Sequence, residues 1–227
     1  MNALVQAASP DGAAVIGTAQ QVADLVATFA FGVSGALLAV RKGYDFIGLS
    51  VLAFATAFGG GVIRDVIINK GVPVAFVDLQ YVWVSLAAAV IIFVIDPPAR
   101  LTNWPLNIAD AVGLALFCVT GTLTAYRNGL AAVPSALLGI LTAIGGGIIR
   151  DLLANRTPPV LRPDQDLYAV PAIIGATISA LLLHFDSYNT FTGGAAFLVA
   201  LSVRLLALRF HWHTRVAVAK TLRRPKR

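Results

Sequence analysis

The chain has 227 residues, 58% of them hydrophobic and only 12% charged, with a formal net charge of +6, whereas soluble domains carry roughly 45–50% apolar and about 25% charged residues. The apolar residues come in long charge-free blocks rather than in amphipathic stripes, which excludes a water-soluble fold and makes the bilayer the expected solvent.

Blocks free of charge run through 25–40, 46–63, 79–95, 111–126, 128–149, 167–183 and 187–203. Each approaches the ~20 residues that cross about 30 Å of hydrocarbon, with tilt and snorkelling Lys or Arg making up the difference. The expectation is an all-α membrane protein of seven transmembrane helices. Residues 1–21 form an N-terminal segment, and the first 40 residues lack the basic n-region of a cleaved signal, so this segment is expected to be retained. Asp24 before span one and Asp110 before span four read as N-terminal caps favoured by the helix dipole. Spans one and four then carry Val33-Ser34-Gly35 and Val119-Thr120-Gly121. Span two holds Gly59, Gly60 and Gly61 followed by Arg64-Asp65, and span five holds Gly145, Gly146 and Gly147 followed by Arg150-Asp151. The single cysteine, Cys118, can form no intrachain disulfide and reads as a small buried apolar residue. Pro134 and Pro171 read as entry residues of spans five and six, and His184 as a lone interfacial side chain.

Orientation follows from the basic residues, which favour the cytoplasmic side. With the C-terminus inside, the inner flanks hold Arg41, Lys42, Arg100, Arg150, Arg156, Arg162 and the tail, and the outer ones hold Arg64, Lys70 and Arg127. The N-terminus is then outside. The tail, 210–227, carries Arg215, Lys220, Arg223, Arg224, Lys226 and Arg227; beside a membrane it reads as a topology determinant drawn to anionic lipid, not as a nucleic-acid site. His211 and His213 lack a third partner for a metal.

Shifted by 86 residues, the sequence matches itself without a gap, with 22 identities over the 55 positions 24–78. Asp24 falls on Asp110, Gly35 on Gly121, Arg41 on Arg127, Thr56 to Asp65 on Thr142 to Asp151, Asn69 on Asn155 and Pro73 on Pro159. This is a duplication: repeat one over 22–98, repeat two over 108–185, then span seven within 187–209, which has no counterpart. Three spans per copy is an odd number, so the second copy is expected to be inverted. Inverted repeats are common in transport proteins, with the pathway at the repeat interface near the midplane.

Three consecutive glycines in mid-span invite a kink or an unwound turn, whose freed backbone groups must line water or be buried in protein. Close helix packing through small residues is the rival reading. The Arg-Asp pairs that follow lie roughly 5–10 Å from the midplane by helical rise, and an intramembrane charge is by default a candidate facing a cavity. Adjacent residues diverge by roughly 100° around a helix, so each Arg and Asp need not be partners. Snorkelling to the interface is the alternative. Ser34 and Thr120 either tighten helix contacts or line a polar pathway. No metal-ligand spacing, activated nucleophile or phosphate loop points to an enzyme, and no cofactor or tightly bound metal is expected.

Two GGGxxRD segments on the second and fifth of seven spans, 86 residues apart, resemble the prokaryotic members of the trimeric intracellular cation channel (TRIC) family, over about 24–205. The resemblance implies a homotrimer in the bacterial or archaeal inner (plasma) membrane. Each protomer would hold its own pore, bounded by spans one, two, four and five and passing potassium or sodium. Carried over, the pore and gate residues are Gly59 to Gly61, Arg64, Asp65, Gly145 to Gly147, Arg150 and Asp151, with Ser34 and Thr120 beside them. Animal members carry a basic lipid-binding motif where this chain has its second-span triplet and Arg-Asp. Bacterial relatives have also been labelled glycine transporters, so the runner-up is a secondary transporter of a small zwitterion.

Overall fold

A computed structural model describes residues 10–69, 71–162 and 166–212. Lys70, Asp164, His213 and the basic tail lie outside them. The described residues form eight α-helices and two short 3-10 turns: α1 Pro10–Lys42, α2 Phe46–Ile68, α3 Val74–Val77, α4 Leu79–Ile95, a turn at Ala99–Leu101, α5 Asn103–Arg127, α6 Ala132–Leu153, a turn at Pro159–Leu161, α7 Ala169–His184 and α8 Thr190–Phe210. Five of them, α1, α2, α5, α6 and α8, are long and apolar enough to cross a membrane. The apolar α4 and α7, of 17 and 16 residues, are shorter.

Local chemistry sets the ends. Asp45 caps α2 by accepting from Gly48 N at 2.8 Å, and Asp78 caps α4 through Gln80 N at 2.9 Å. Asn189 opens α8 with a capping box that includes Thr192. The matched Asn69 and Asn155 both adopt positive φ, 56° and 50°, just after α2 and α6, a conformation asparagine tolerates better than most residues.

α1, α2, α5 and α6 form the central group. α4 packs on α1 and α2, α7 packs in the same way on α5 and α6, and α8 lies against α5 and α7. Small residues are frequent in the interior, where Ala27, Ala53, Ala88, Ala115, Ala143, Ala176 and Ala200 are buried beside larger ones such as Phe31, Leu52 and Leu114, letting backbones approach as membrane helices do. Many other large apolar side chains point outward, Ile47, Val94, Val133 and Phe191 being 71, 74, 71 and 89% exposed. So much exposed apolar surface fits a hydrocarbon surround.

Two expectations are corrected here. Asp24 and Asp110 are not caps, because α1 begins at Pro10 and α5 at Asn103, placing both carboxylates well inside their helices. The helix broken at the glycines is also absent, since α2 and α6 run as uninterrupted α-helix through Gly59–Gly61 and Gly145–Gly147. The physical reason is packing, which outweighs the helix cost of glycine.

Candidate functional site

The glycines sit where α2 crosses α6. A Cβ on Gly60 would overlap the Thr142 carbonyl oxygen, and one on Gly146 would overlap that of Thr56. Both threonine hydroxyls bond back into their own helices, Thr56 to Leu52 O at 2.6 Å and Thr142 to Leu138 O at 2.7 Å. Each half therefore offers a glycine to the threonine turn of the other. The paired numbers rise in one helix as they fall in the other, so the helices cross antiparallel and Arg64 and Arg150 lie on opposite sides of the crossing. Matched aromatic residues meet in the same way, Phe31 stacking on Phe117 with ring centroids 5.5 Å apart.

On the α2 side, Arg64 Nε donates to Asp65 Oδ1 at 2.8 Å, and its Nη1 lies 3.9 Å from Asp24 Oδ2. Asp65 Oδ2 accepts from Val74 N at 3.0 Å, pinning the start of α3. All three charged side chains are buried. They underlie a cavity of about 310 Å³ whose lining includes Gln20, Asp24, Arg64, Asp78, Tyr81, Thr124 and Arg127. Arg64 Nη1 has no hydrogen-bond acceptor.

On the α6 side, the matched residues are drawn tighter. Arg150 Nη1 donates to Asp110 Oδ1 at 2.7 Å and to Ser34 Oγ, and its Nη2 donates to Asp151 Oδ2 at 2.9 Å. Tyr168 OH donates to the same Asp110 oxygen at 3.1 Å, and Arg204 Nη2 lies 3.9 Å from Asp110 Oδ2. A second cavity, of about 140 Å³, opens here between Arg41, Asn107, Arg150, Asp151, Arg156, Asp166 and Arg204.

The family model described as "Glycine transporter" matches the chain twice, over residues 21–97 and 107–184. A solved TRIC trimeric intracellular cation channel orthologue from Rhodobacter sphaeroides is 34% identical and superimposes with a TM-score of 0.80, covering 86% of this chain and all of that one. The chain belongs to the TRIC family. A second solved TRIC cation channel is 31% identical, with a TM-score of 0.78 over 88% of this chain and 98% of its own. A UPF0126 membrane protein of Deinococcus radiodurans is 40% identical over 193 residues, 85% of this chain and 86% of that one. The inner membrane protein YadS of Escherichia coli K12 is 36% identical over 196 residues, 83% of this chain and 91% of its own.

In this TRIC protein the predicted residues divide. Arg64-Asp65 and Arg150-Asp151 do pair with their own neighbours, because the arginine side chain is long enough to fold back across the angle between adjacent helix positions. Ser34 joins the Arg150 cluster, whereas Thr120, its matched residue, does not reach Arg64. Thr120 lines an apolar groove of about 180 Å³ with Ile16, Leu116 and Phe197, and its buried hydroxyl has no partner. Among the glycines, Gly61 has open space where a Cβ would stand, while Gly147 faces the Tyr168 hydroxyl. Sequence reasoning missed Asp24 and Asp110 as ion-pair partners, along with Tyr168 and Arg204. Their signals were the matched spacing of the two aspartates and a lone arginine at the edge of span seven.

Proposed function

We propose that this TRIC protein is a cation channel, assembled as a homotrimer with one pore in each protomer, passing potassium by passive electrodiffusion. The halves are inverted in the bilayer across seven spans, α4 and α7 included, and the path runs between α1, α2, α5 and α6. The likeness to solved TRIC cation channels supports the reading. The observation that carries it is the pair of matched, buried Asp-Arg-Asp clusters on either side of one glycine crossing, each beneath a polar cavity. Buried charge in a membrane is expensive and is retained where it faces a water-filled path. The gate is then a pair of ion-pair clusters closing on a tight helix crossing, not an unwound turn. Purified protein in liposomes should dissipate a potassium gradient at a rate that rises linearly with potassium concentration; absence of flux removes the proposal.

A second reading has one observation in its favour. The α2-side cavity presents both signs, with Arg64 and Arg127 beside Asp24 and Asp78, and Arg64 Nη1 has no hydrogen-bond acceptor. A small zwitterion such as glycine could place its carboxylate on Arg64 and its ammonium near an aspartate. Saturable counterflow of labelled glycine without potassium leak would establish a carrier in place of a channel.

A further inference from the structure

The unrepeated helix brings one charge into the repeated framework. α8 follows the second repeat, so the 86-residue match gives Arg204 no counterpart beside Arg64. Arg204 is only 4% exposed. Its Nη1 donates to Leu167 O at 2.7 Å, and its guanidinium lies 4.8 Å above the Tyr168 ring. Its Nε is buried without any hydrogen-bond partner, a state that costs free energy.

Asp110 alone does not balance the Arg204 charge, because Arg150 shares that carboxylate. Among the described residues at the α6-side cavity, Arg41, Arg150, Arg156 and Arg204 meet Asp151, Asp166 and, just behind the lining, the Asp110 that Arg150 and Arg204 share, an excess of one positive charge. The α2-side cavity has Arg64 and Arg127 against Asp24, Asp78 and the Asp65 behind Arg64, an excess of one negative charge. Arg156, in the connection after α6, also stands among positive neighbours. Burial pushes its guanidinium below the ordinary arginine value, Asp151 opposes this, and Arg41, Arg150 and Arg162 add to the lowering.

Resting on the channel reading, we propose that Arg204 makes conduction directional. Its guanidinium depletes monovalent cations at the α6-side mouth alone, so current carried by cations entering from the α2 side exceeds the reverse current at equal driving force. One unit charge about 8 Å from a hydrated ion changes the local cation concentration roughly two- to threefold at water-like dielectric. Salt weakens the effect, because the Debye length falls from about 10 Å at 0.1 M to about 3 Å at 1 M. Arg204 acts here as a specificity-determining residue through its charge, and not as a staple that merely ties α8 to the chain before α7.

The test uses the full-length protein in planar bilayers with symmetric KCl. Sidedness is set by an Asn103→Cys variant, at an exposed uncharged residue of the α6-side cavity that leaves its charge unchanged, and a membrane-impermeant neutral thiol reagent added to one chamber, since the native Cys118 is buried. With screening included, the wild type is expected to rectify about 1.5-fold in 0.1 M KCl and to approach a linear current–voltage relation in 1 M. Arg204→Gln should abolish rectification by raising the current that enters from the α6 side, and Arg204→Lys should keep it. Where Arg204→Gln fails to assemble on size-exclusion chromatography, the salt dependence and Arg204→Lys carry the test. A linear relation at 0.1 M, rectification that survives Arg204→Gln, or its loss in Arg204→Lys overturns the role of Arg204. A wild type that passes no cation at any salt overturns the channel reading itself, a distinguishable result.

Discussion

The Asp24–Arg64–Asp65 and Asp110–Arg150–Asp151 clusters hold the same residues at the same spacing, yet they are built to different tightness. Arg64 stands 3.9 Å from Asp24, whereas Arg150 stands 2.7 Å from Asp110 and also reaches Ser34. The difference comes from residues that the duplication did not copy. Tyr168 and Arg204 both converge on Asp110, while position 82, which matches Tyr168, is a valine. Duplication supplies two equivalent charge clusters, and unrepeated residues decide which one is fastened.

The largest expected effect breaks that comparison at its tight end. Asp110→Ala leaves Arg150 with Asp151 and the Ser34 hydroxyl and removes the carboxylate nearest Arg204, so two buried guanidiniums lose an anionic partner. Removing one member of a buried ion pair costs about 3–5 kcal/mol. Asp24→Ala, in the looser cluster beneath the larger cavity, should cost less than half as much. Thermal unfolding in detergent, followed by the loss of the size-exclusion peak, compares the two; equal shifts in Tm would deny the asymmetry.

Ser34 and Thr120 sharpen the same point with a smaller effect. They occupy matched positions, but Ser34 accepts from Arg150 and Thr120 has a buried hydroxyl without a partner. A hydrogen bond to a charged group contributes about 1.5–3 kcal/mol, so Ser34→Ala should lower Tm. Thr120→Val removes an unsatisfied polar group of the same shape and should raise Tm slightly. The same unfolding assay reads both, and opposite signs are the expected outcome.

Much of the frame was legible in the sequence. The charge-free blocks locate every long helix, and the self-match correctly pairs Gly60 with Gly146 and Arg64 with Arg150. Two kinds of information were not legible. A charge-free block ends where a charge begins, so Asp24, Asp110 and Arg204 were read as the edges of spans, although each lies within a helix and points inward. A run of glycine also has two physical meanings. Its poor helix propensity predicts a break, whereas its lack of a side chain permits contact, and only the presence of the facing Thr142 and Thr56 carbonyls decides between them.

The smallest effects test where the halves are alike and where they part. Gly60 and Gly146 meet matching carbonyls, the Gly60 contact being the closer, so both Gly60→Ala and Gly146→Ala should destabilise by about 1–3 kcal/mol of overpacking, Gly60→Ala the more. The next glycine in each triplet behaves differently. A methyl group at Gly61 enters open space, and the gain in helix propensity should stabilise by up to about 1 kcal/mol. At Gly147 the methyl group meets the Tyr168 hydroxyl and displaces it from Asp110, so Gly147→Ala should lower Tm. Combining Gly147→Ala with Tyr168→Phe removes the obstructing oxygen and should return part of the loss. A rescue of that kind ties the small difference between two glycines to the fastening of Asp110, and an additive loss would place the strain elsewhere in α6.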